Sequence, residues 1–145
     1  MGKKQSGAVT QSSNWDSDMG TIILTLPEGI IADMPVEGKF LQVHWRGTDY
    51  LLFAAATEHR YHNQLLAWFL AGHEIRHDWA DAQTLVVDHP ELLVTGGGRF
   101  VLDPNRRSLR VWDESSVYGR FDASRLAAQF NAAGAPWGEF TLEFI

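Results

Sequence analysis

The sequence contains no cysteine and no long uninterrupted apolar segment. The lack of cysteine excludes a disulfide framework, a thiolate zinc site, an iron–sulfur cluster and a cysteine nucleophile. A membrane-spanning helix needs about 18 or more consecutive apolar residues, and the amino terminus lacks the apolar segment of a signal peptide. We therefore expect a cytoplasmic protein with no membrane span.

Positive charge is also scarce, because 12 Lys and Arg residues face 18 Asp and Glu residues, for a formal net charge of −6 at pH 7. Nonspecific nucleic-acid binding depends on a basic surface that replaces the counterions of the phosphates. The few basic residues are scattered, so we expect no nucleic-acid partner. A chain of 145 residues is long enough to bury a core without metal or disulfide crosslinks.

The first part of the chain differs in composition from the rest. Residues 1–20 are rich in Ser, Gly, Lys, Gln and Asp, which predicts a disordered tail followed by a single domain over residues 21–145. The tail also matches the Met-Gly-x-x-x-Ser pattern of N-myristoylation through Gly2 and Ser6. We favour a solvated tail over lipidation.

Apolar runs between turn residues predict the strands of an α+β fold. These runs cover residues 21–26, 39–45, 49–56, 84–87, 91–95, 99–103, 108–113 and 139–144. The runs at 39–45 and 49–56 should form an antiparallel pair. Helical spacing of apolar residues predicts helices over 60–77 and 123–132, the second capped by Asp122. The expected fold is a mixed sheet of about six strands layered with two helices, in the approximate order ββαβββαβ.

The segment His73-Glu74-Ile75-Arg76-His77 matches the H-E-x-x-H pattern. On a helix, the two histidines of this pattern bind zinc and the glutamate activates water. A zinc hydrolase also needs a third protein ligand, and no residue lies at a usual offset. The alternative is that His73 and His77 favour the negative end of the helix dipole while Glu74 faces solvent. We favour this alternative and expect no metal.

A second group of candidate residues lies between residues 95 and 122. Gly96, Gly97 and Gly98 allow backbone amides to approach an anion, and Arg99 offers a guanidinium that binds carboxylate or phosphate. The polar loop at 114–119 follows a strand and adds hydroxyl groups. Together these features predict an anionic ligand, although glycine-rich turns and serine loops also serve simply to connect strands.

The order of residues in this region resembles one known family. Gly-Gly-Gly-Arg, a hydrophobic strand, a polar turn, Leu-Arg-Val-Trp and then Ser-x-x-Tyr-Gly-Arg-x-Asp follow one another without a gap over residues 95–122. This pattern is similar to the Janus/Ocnus family, whose best-known members are the metal-independent protein phosphohistidine phosphatases. With Tyr61-His62 at the start of the first predicted helix, the resemblance extends over about residues 39–144.

The resemblance implies a phosphate site at the amino end of the first helix. His62 would be the general base, and it would act without a metal or another cofactor. The ligand would be a phosphorylated protein or a small phosphorylated compound. The positions that match the family's phosphate-binding residues, or the wall beneath them, are Tyr61, Asn63, Gly97, Gly98, Arg99, Ser115 and the amide of Val117.

The sequence also departs from the family pattern in its basic residues. The family carries a lysine and an arginine on its first two paired strands, whereas Lys39 is displaced here and the arginine is absent. Lys39 and Arg60 are the residues that would supply compensating charge. The connection over residues 77–90 is about a dozen residues longer than in the family.

Three functions therefore remain open from the sequence. The first is hydrolysis of a phosphoramidate by a phosphohistidine phosphatase-like enzyme. The second is a noncatalytic family member that binds a phosphorylated or acidic partner in the same cleft. The third, and the least favoured, is a zinc hydrolase that uses His73, Glu74 and His77.

Overall fold

The structure is a computed structural model that describes residues 21–26, 34–57, 61–134 and 136–145. The predicted tail with its Gly2 pattern, and Arg60, lie outside these described residues. The helices are α1 (His62–Gly72) and α2 (Ala123–Ala132). The strands are β1 (Thr21–Leu26), β2 (Val36–Trp45), β3 (Thr48–Ala55), β4 (Asp78–Asp81), β5 (Thr84–Val86), β6 (Leu92–Asp103), β7 (Ser108–Trp112) and β8 (Thr141–Phe144).

The main sheet has six strands in the order β1-β3-β2-β6-β7-β8. The outer pairs β1–β3 and β7–β8 are parallel, whereas the pairs β3–β2, β2–β6 and β6–β7 are antiparallel. β4 and β5 form a separate antiparallel hairpin. The predicted α+β class, with a mixed sheet and two helices, is confirmed, and so is the antiparallel pairing of the second and third strands.

The two helices cover opposite faces of the sheet, because side chains alternate along each strand. On β2, Leu41 and Val43 pack in one buried cluster with Leu65 and Phe69 of α1. Phe40 belongs to a second buried cluster that contains residues of α2, including Leu126 and Phe130. The result is a layered domain in which the central strands are covered on both sides.

Helix α1 is shorter than the predicted helix over 60–77, because the chain turns after Gly72. Glu74 has a positive φ of 56°, and its amide donates to the Ala71 carbonyl at 3.1 Å. The Ile75 amide donates to the Leu70 carbonyl at 2.8 Å. These two bonds form a Schellman motif, which ends a helix and returns an apolar residue to it. Ile75 is accordingly buried, at 6% exposure, in the cluster that contains Leu70.

Strand β6 is continuous, so the prediction of separate strands at 91–95 and 99–103 was wrong. The glycines do not break the strand but allow neighbouring backbone to lie close to it. A Cβ atom at Gly96, where φ is 155°, would lie 2.3 Å from the Arg120 carbonyl oxygen, and one at Gly97 would lie 2.5 Å from that of Phe40. Phe121 donates its amide to the Gly97 carbonyl at 3.2 Å. The glycines thus hold the segment after the 114–119 loop against β6.

The last predicted strand, over 139–144, is also shorter in the structure. Trp137–Glu139 forms a short 3-10 helix, and β8 begins only at Thr141. Phe140 and Leu142 pack against the cluster on the α2 side, and the ring of Phe144 stacks on that of Phe121. Leu142 and Phe144 therefore lie on a strand of four residues, and Phe140 lies immediately before it.

Candidate phosphate-binding site

A cavity of about 460 Å³ lies at the amino end of α1. Its lining residues are Lys39 of β2, residues 61–64 at the helix start, residues 82–83 at the tip of the β4–β5 hairpin, and residues 114–117 of the loop after β7. His62 and Ser115 are buried, whereas residues 82–83 are exposed. The cavity therefore has a buried floor and an open mouth.

His62 is the first residue of α1 and is only 5% exposed. Its Nε2 atom lies 2.9 Å from the carbonyl oxygen of Gly98. A carbonyl oxygen only accepts hydrogen bonds, so Nε2 carries the proton and the neutral imidazole keeps its basic lone pair on Nδ1. The fold thus selects the tautomer of a histidine that lines the cavity.

The surroundings of His62 favour its neutral form. Burial lowers the pKa of His62 below the ordinary 6.5, and the positive charge of Lys39 lowers it further. The carbonyl groups of Gly98 and Phe40 and the carboxylate of Asp113 act in the opposite direction, but the pKa stays lowered. At neutral pH the imidazole is therefore available as a base.

The start of α1 leaves backbone amides for a ligand. Tyr61 precedes the helix with extended backbone angles, and its carbonyl accepts from the amides of Gln64 at 3.1 Å and Leu65 at 3.4 Å. The amides of His62 and Asn63 have no acceptor within the described part of the chain. Free amides and the helix dipole make such an end favourable for an anion.

The 114–119 loop is held by hydrogen bonds around Ser115. The Ser115 hydroxyl oxygen accepts from the amides of Val117 at 3.3 Å and Tyr118 at 3.1 Å. Backbone bonds join Ser115 and Gly119 in both directions, at 3.1 and 2.9 Å. The Val117 amide, which the resemblance assigns to phosphate, is therefore directed at Ser115. The neighbouring Ser116 amide has no acceptor among the residues described here, and Ser116 lines the cavity.

Lys39 and Arg99 occupy different environments, although they are paired in register on β2 and β6. Lys39 lies in the cavity wall. Arg99 is not part of that wall; its guanidinium lies 3.7 Å from the carboxylate of Asp113 and covers the ring of Trp112. Among the described lining residues, Lys39 is the cation and Glu114 the carboxylate.

Gly97 and Gly98 also lie outside the described cavity lining. They act instead on His62: Gly98 accepts its Nε2 proton, and a Cβ atom at Gly97 would lie 3.0 Å from its Cδ2 atom. The glycine pair therefore supports the imidazole of His62.

The β4–β5 hairpin contributes a wall that sequence reasoning missed. The side-chain amide of Asn63 donates to the carbonyl of Gln83, across 20 residues of sequence. Ala82, Gln83 and Gln64 line the cavity, and the sequence singled out none of them; Glu114 and Ser116 also line it and belong to the predicted polar loop at 114–119. The sequence shows the extra length of the 77–90 connection but not its position beside the cavity.

The H-E-x-x-H segment does not form the pair of histidines on one helix face that the zinc alternative requires, because α1 ends before it. The Nδ1 atom of His73 lies 3.1 Å from the Phe69 carbonyl oxygen, and Nδ1 of His77 lies 2.8 Å from that of Ile75. No three or more His, Cys, Asp or Glu side chains come together as a metal site within the described residues. The structure thus does not place these residues in a zinc-binding geometry.

No family model matches this chain, and no curated protein matches it significantly. No helix in the described ranges is long and apolar enough to cross a membrane. The resemblance to the phosphohistidine phosphatases therefore stays a prediction from the sequence.

Proposed function

We propose that this protein hydrolyses a phosphoramidate, such as phosphohistidine, with His62 as the general base. The observation that carries the proposal is the hydrogen bond from His62 Nε2 to the Gly98 carbonyl, which fixes the neutral tautomer whose basic atom is Nδ1, on a residue that lines the cavity. A histidine of lowered pKa at the amino end of a helix suits proton transfer beside a bound anion.

The phosphoryl group would be bound by the free amides of His62 and Asn63 and by the ammonium group of Lys39. These groups are supported by the helix dipole, which favours negative charge at this position. Ser115 retains a hydroxyl proton to donate, because its oxygen acts only as an acceptor in the hydrogen bonds of the described residues. Phosphoryl transfer relies mainly on such positioning and electrostatic stabilisation.

In the proposed reaction, a water oxygen forms a bond to phosphorus while the bond between phosphorus and nitrogen breaks. Nδ1 of His62 accepts the proton that the water loses. The leaving nitrogen takes a proton from solvent, and His62 later returns its own proton to solvent. The products are inorganic phosphate and the free amine or imidazole.

The test is hydrolysis of phosphoramidate and of phosphohistidine in a protein, with a chelator present. Removal of a general base typically lowers the rate by about 10²–10⁴-fold, so His62→Ala should lose almost all turnover. His77→Ala is the matched control, since His77 lies outside the cavity lining, and it should keep the wild-type rate. An active His62→Ala variant, or activity that depends on His77 and on zinc, would contradict the proposal.

The charges of the cavity favour a second candidate function, which is binding without turnover. Glu114 lines the same cavity as Lys39, and a carboxylate opposes the accumulation of negative charge on a phosphoryl group. If inorganic phosphate binds to the wild-type protein and binds less tightly to Lys39→Met, while neither substrate is hydrolysed, the site is a noncatalytic receptor for a phosphorylated or acidic partner.

A further inference from the structure

One wall of the cavity is formed by a segment that lies outside the main sheet. The β4–β5 hairpin pairs only with itself, and every residue of β4 is exposed. Leu85 and Val87 anchor it, because both pack against the buried cluster on the α1 side. The hairpin thus rests on the domain through one apolar face and presents its other face to solvent at the cavity mouth.

The tip of this hairpin has a defined conformation. The Asp81 carboxylate accepts from the Gln83 amide at 2.8 Å and from the Thr84 hydroxyl at 3.1 Å. These bonds lower the pKa of Asp81, and they form the type of turn in which an aspartate organises the next residues. The ordered turn directs the Gln83 carbonyl to the side chain of Asn63.

The hairpin is also acidic. Residues 77–90 contain Asp78, Asp81 and Asp88 but no Lys or Arg. Because the mouth is bordered by this segment and by Glu114, an approaching acidic protein surface meets like charge. The enclosed volume of about 460 Å³ lies in the range that small-molecule sites occupy.

From these observations we propose that the hairpin tip, through Gln83 and its bond to Asn63, restricts the site to small phosphoramidates and excludes phosphohistidine on folded proteins. This inference rests on the proposed function. A phosphorylated side chain on a folded protein brings its backbone and neighbouring residues to the mouth of the cavity. The hairpin tip already occupies that position. A small phosphorylated amine enters without that contact.

The experiment compares kcat/KM for phosphoramidate with kcat/KM for a folded phosphohistidine protein. Wild type should prefer phosphoramidate. Gln83→Ala removes a side chain from the mouth, and Asn63→Ala removes the bond to the Gln83 backbone carbonyl. Each should shift the ratio towards the protein substrate by about tenfold, the scale on which one contact in a pocket discriminates between substrates. Val86→Ala is the matched control on the same hairpin, because Val86 is uncharged, exposed and outside the cavity lining, and its ratio should equal that of wild type.

A simple loss of stability would lower both rates together and leave the ratio unchanged. Equal use of both substrates by wild type, or a wild-type ratio in Gln83→Ala, overturns the inference while the proposed function stands. If neither substrate is turned over, the proposed function fails. The inference is then tested by binding, and the ratio of the dissociation constants for inorganic phosphate and for the phosphoprotein replaces the ratio of kcat/KM values. If neither binds to the wild-type protein, both proposals are wrong.

Discussion

The imidazole of His62 lies directly against Gly97, so that a Cβ atom at position 97 would approach Cδ2 of His62 to 3.0 Å and the Phe40 carbonyl oxygen to 2.5 Å. Position 97 requires glycine, because this residue of β6 lies in close contact with the first residue of α1. The position of the proposed base therefore depends on a residue that does not itself line the cavity.

We expect Gly97→Ala to displace His62 and to lower kcat/KM for phosphoramidate by about tenfold or more, since small displacements of a catalytic group are costly. Overpacking of this kind should also reduce the free energy of unfolding by about 1–3 kcal/mol. Kinetics and denaturant unfolding measure the two effects. Gly72→Ala is the control, because a Cβ atom there meets nothing within 4 Å; equal behaviour of the two variants would argue against the contact.

The pH dependence of activity follows from the environment of His62. Because burial and the charge of Lys39 lower the pKa of His62, the base stays neutral at pH values where an ordinary histidine is half protonated. The midpoint of the decrease in kcat/KM on the acidic side should therefore lie below pH 6.5. NMR titration of the His62 ring tests this independently of turnover. Lys39→Gln should raise the pKa, and a pKa that falls in this variant would refute the electrostatic account.

Acid should destabilise the fold through Asp49. Burial by itself raises the pKa of Asp49, but hydrogen bonds from His44 at 2.8 Å and Arg125 at 2.9 Å outweigh it, and the pKa lies below 3.8. The folded state thus holds the ionised carboxylate more firmly than the unfolded state. Its contribution to stability is present above about pH 4 and is lost as the pH falls through the lower, folded pKa.

Asp49→Ala should therefore lower the free energy of unfolding at pH 7 by about 2 kcal/mol, the usual range for hydrogen bonds to a charged group. The variant should also lose stability less steeply than wild type below pH 4. Urea unfolding at several pH values provides the comparison, and Asp78→Ala, on an exposed strand, is the control. Parallel stability curves for wild type and Asp49→Ala would exclude this residue as the source of acid sensitivity.

Ser115 should affect ligand binding through the loop that it organises. Ser115→Ala leaves the amides of Val117 and Tyr118 without their acceptor, which should cost about 1–2 kcal/mol of stability. The affinity for inorganic phosphate should fall several-fold, as measured by calorimetry. Ser124→Ala, at an exposed position of α2, should match wild type in both measurements. A phosphate affinity that is unchanged in Ser115→Ala would remove this loop from the site.

The elements that are specified by a few neighbouring residues have the bounds that the sequence predicts. Helix α2 has the predicted bounds, and its Asp122 cap accepts the Arg125 amide at 3.0 Å. β1 also has its predicted bounds. In each case the information lies within a few neighbouring residues, namely the capping side chain of α2 and the short apolar run of β1.

Elements that depend on distant contacts were predicted less well. The end of α1 is set by the return of Ile75 to the core, which helical periodicity does not encode. Gly96 of β6 lies close to the backbone of Arg120, which is more than 20 residues further along the chain. A glycine run is typical of turns, so its use for close approach between a strand and a loop was not predicted.

The local pattern of residues was sufficient for the α+β class and for most of the helices and strands, because apolar periodicity and turn residues act over short distances. Long-range packing set the site itself. It joined His62 to Gly98 across 36 residues of sequence and Asn63 to Gln83 across 20. These contacts arise only when the helix, the strand and the hairpin have folded against one another, since their register and approach depend on the core between them.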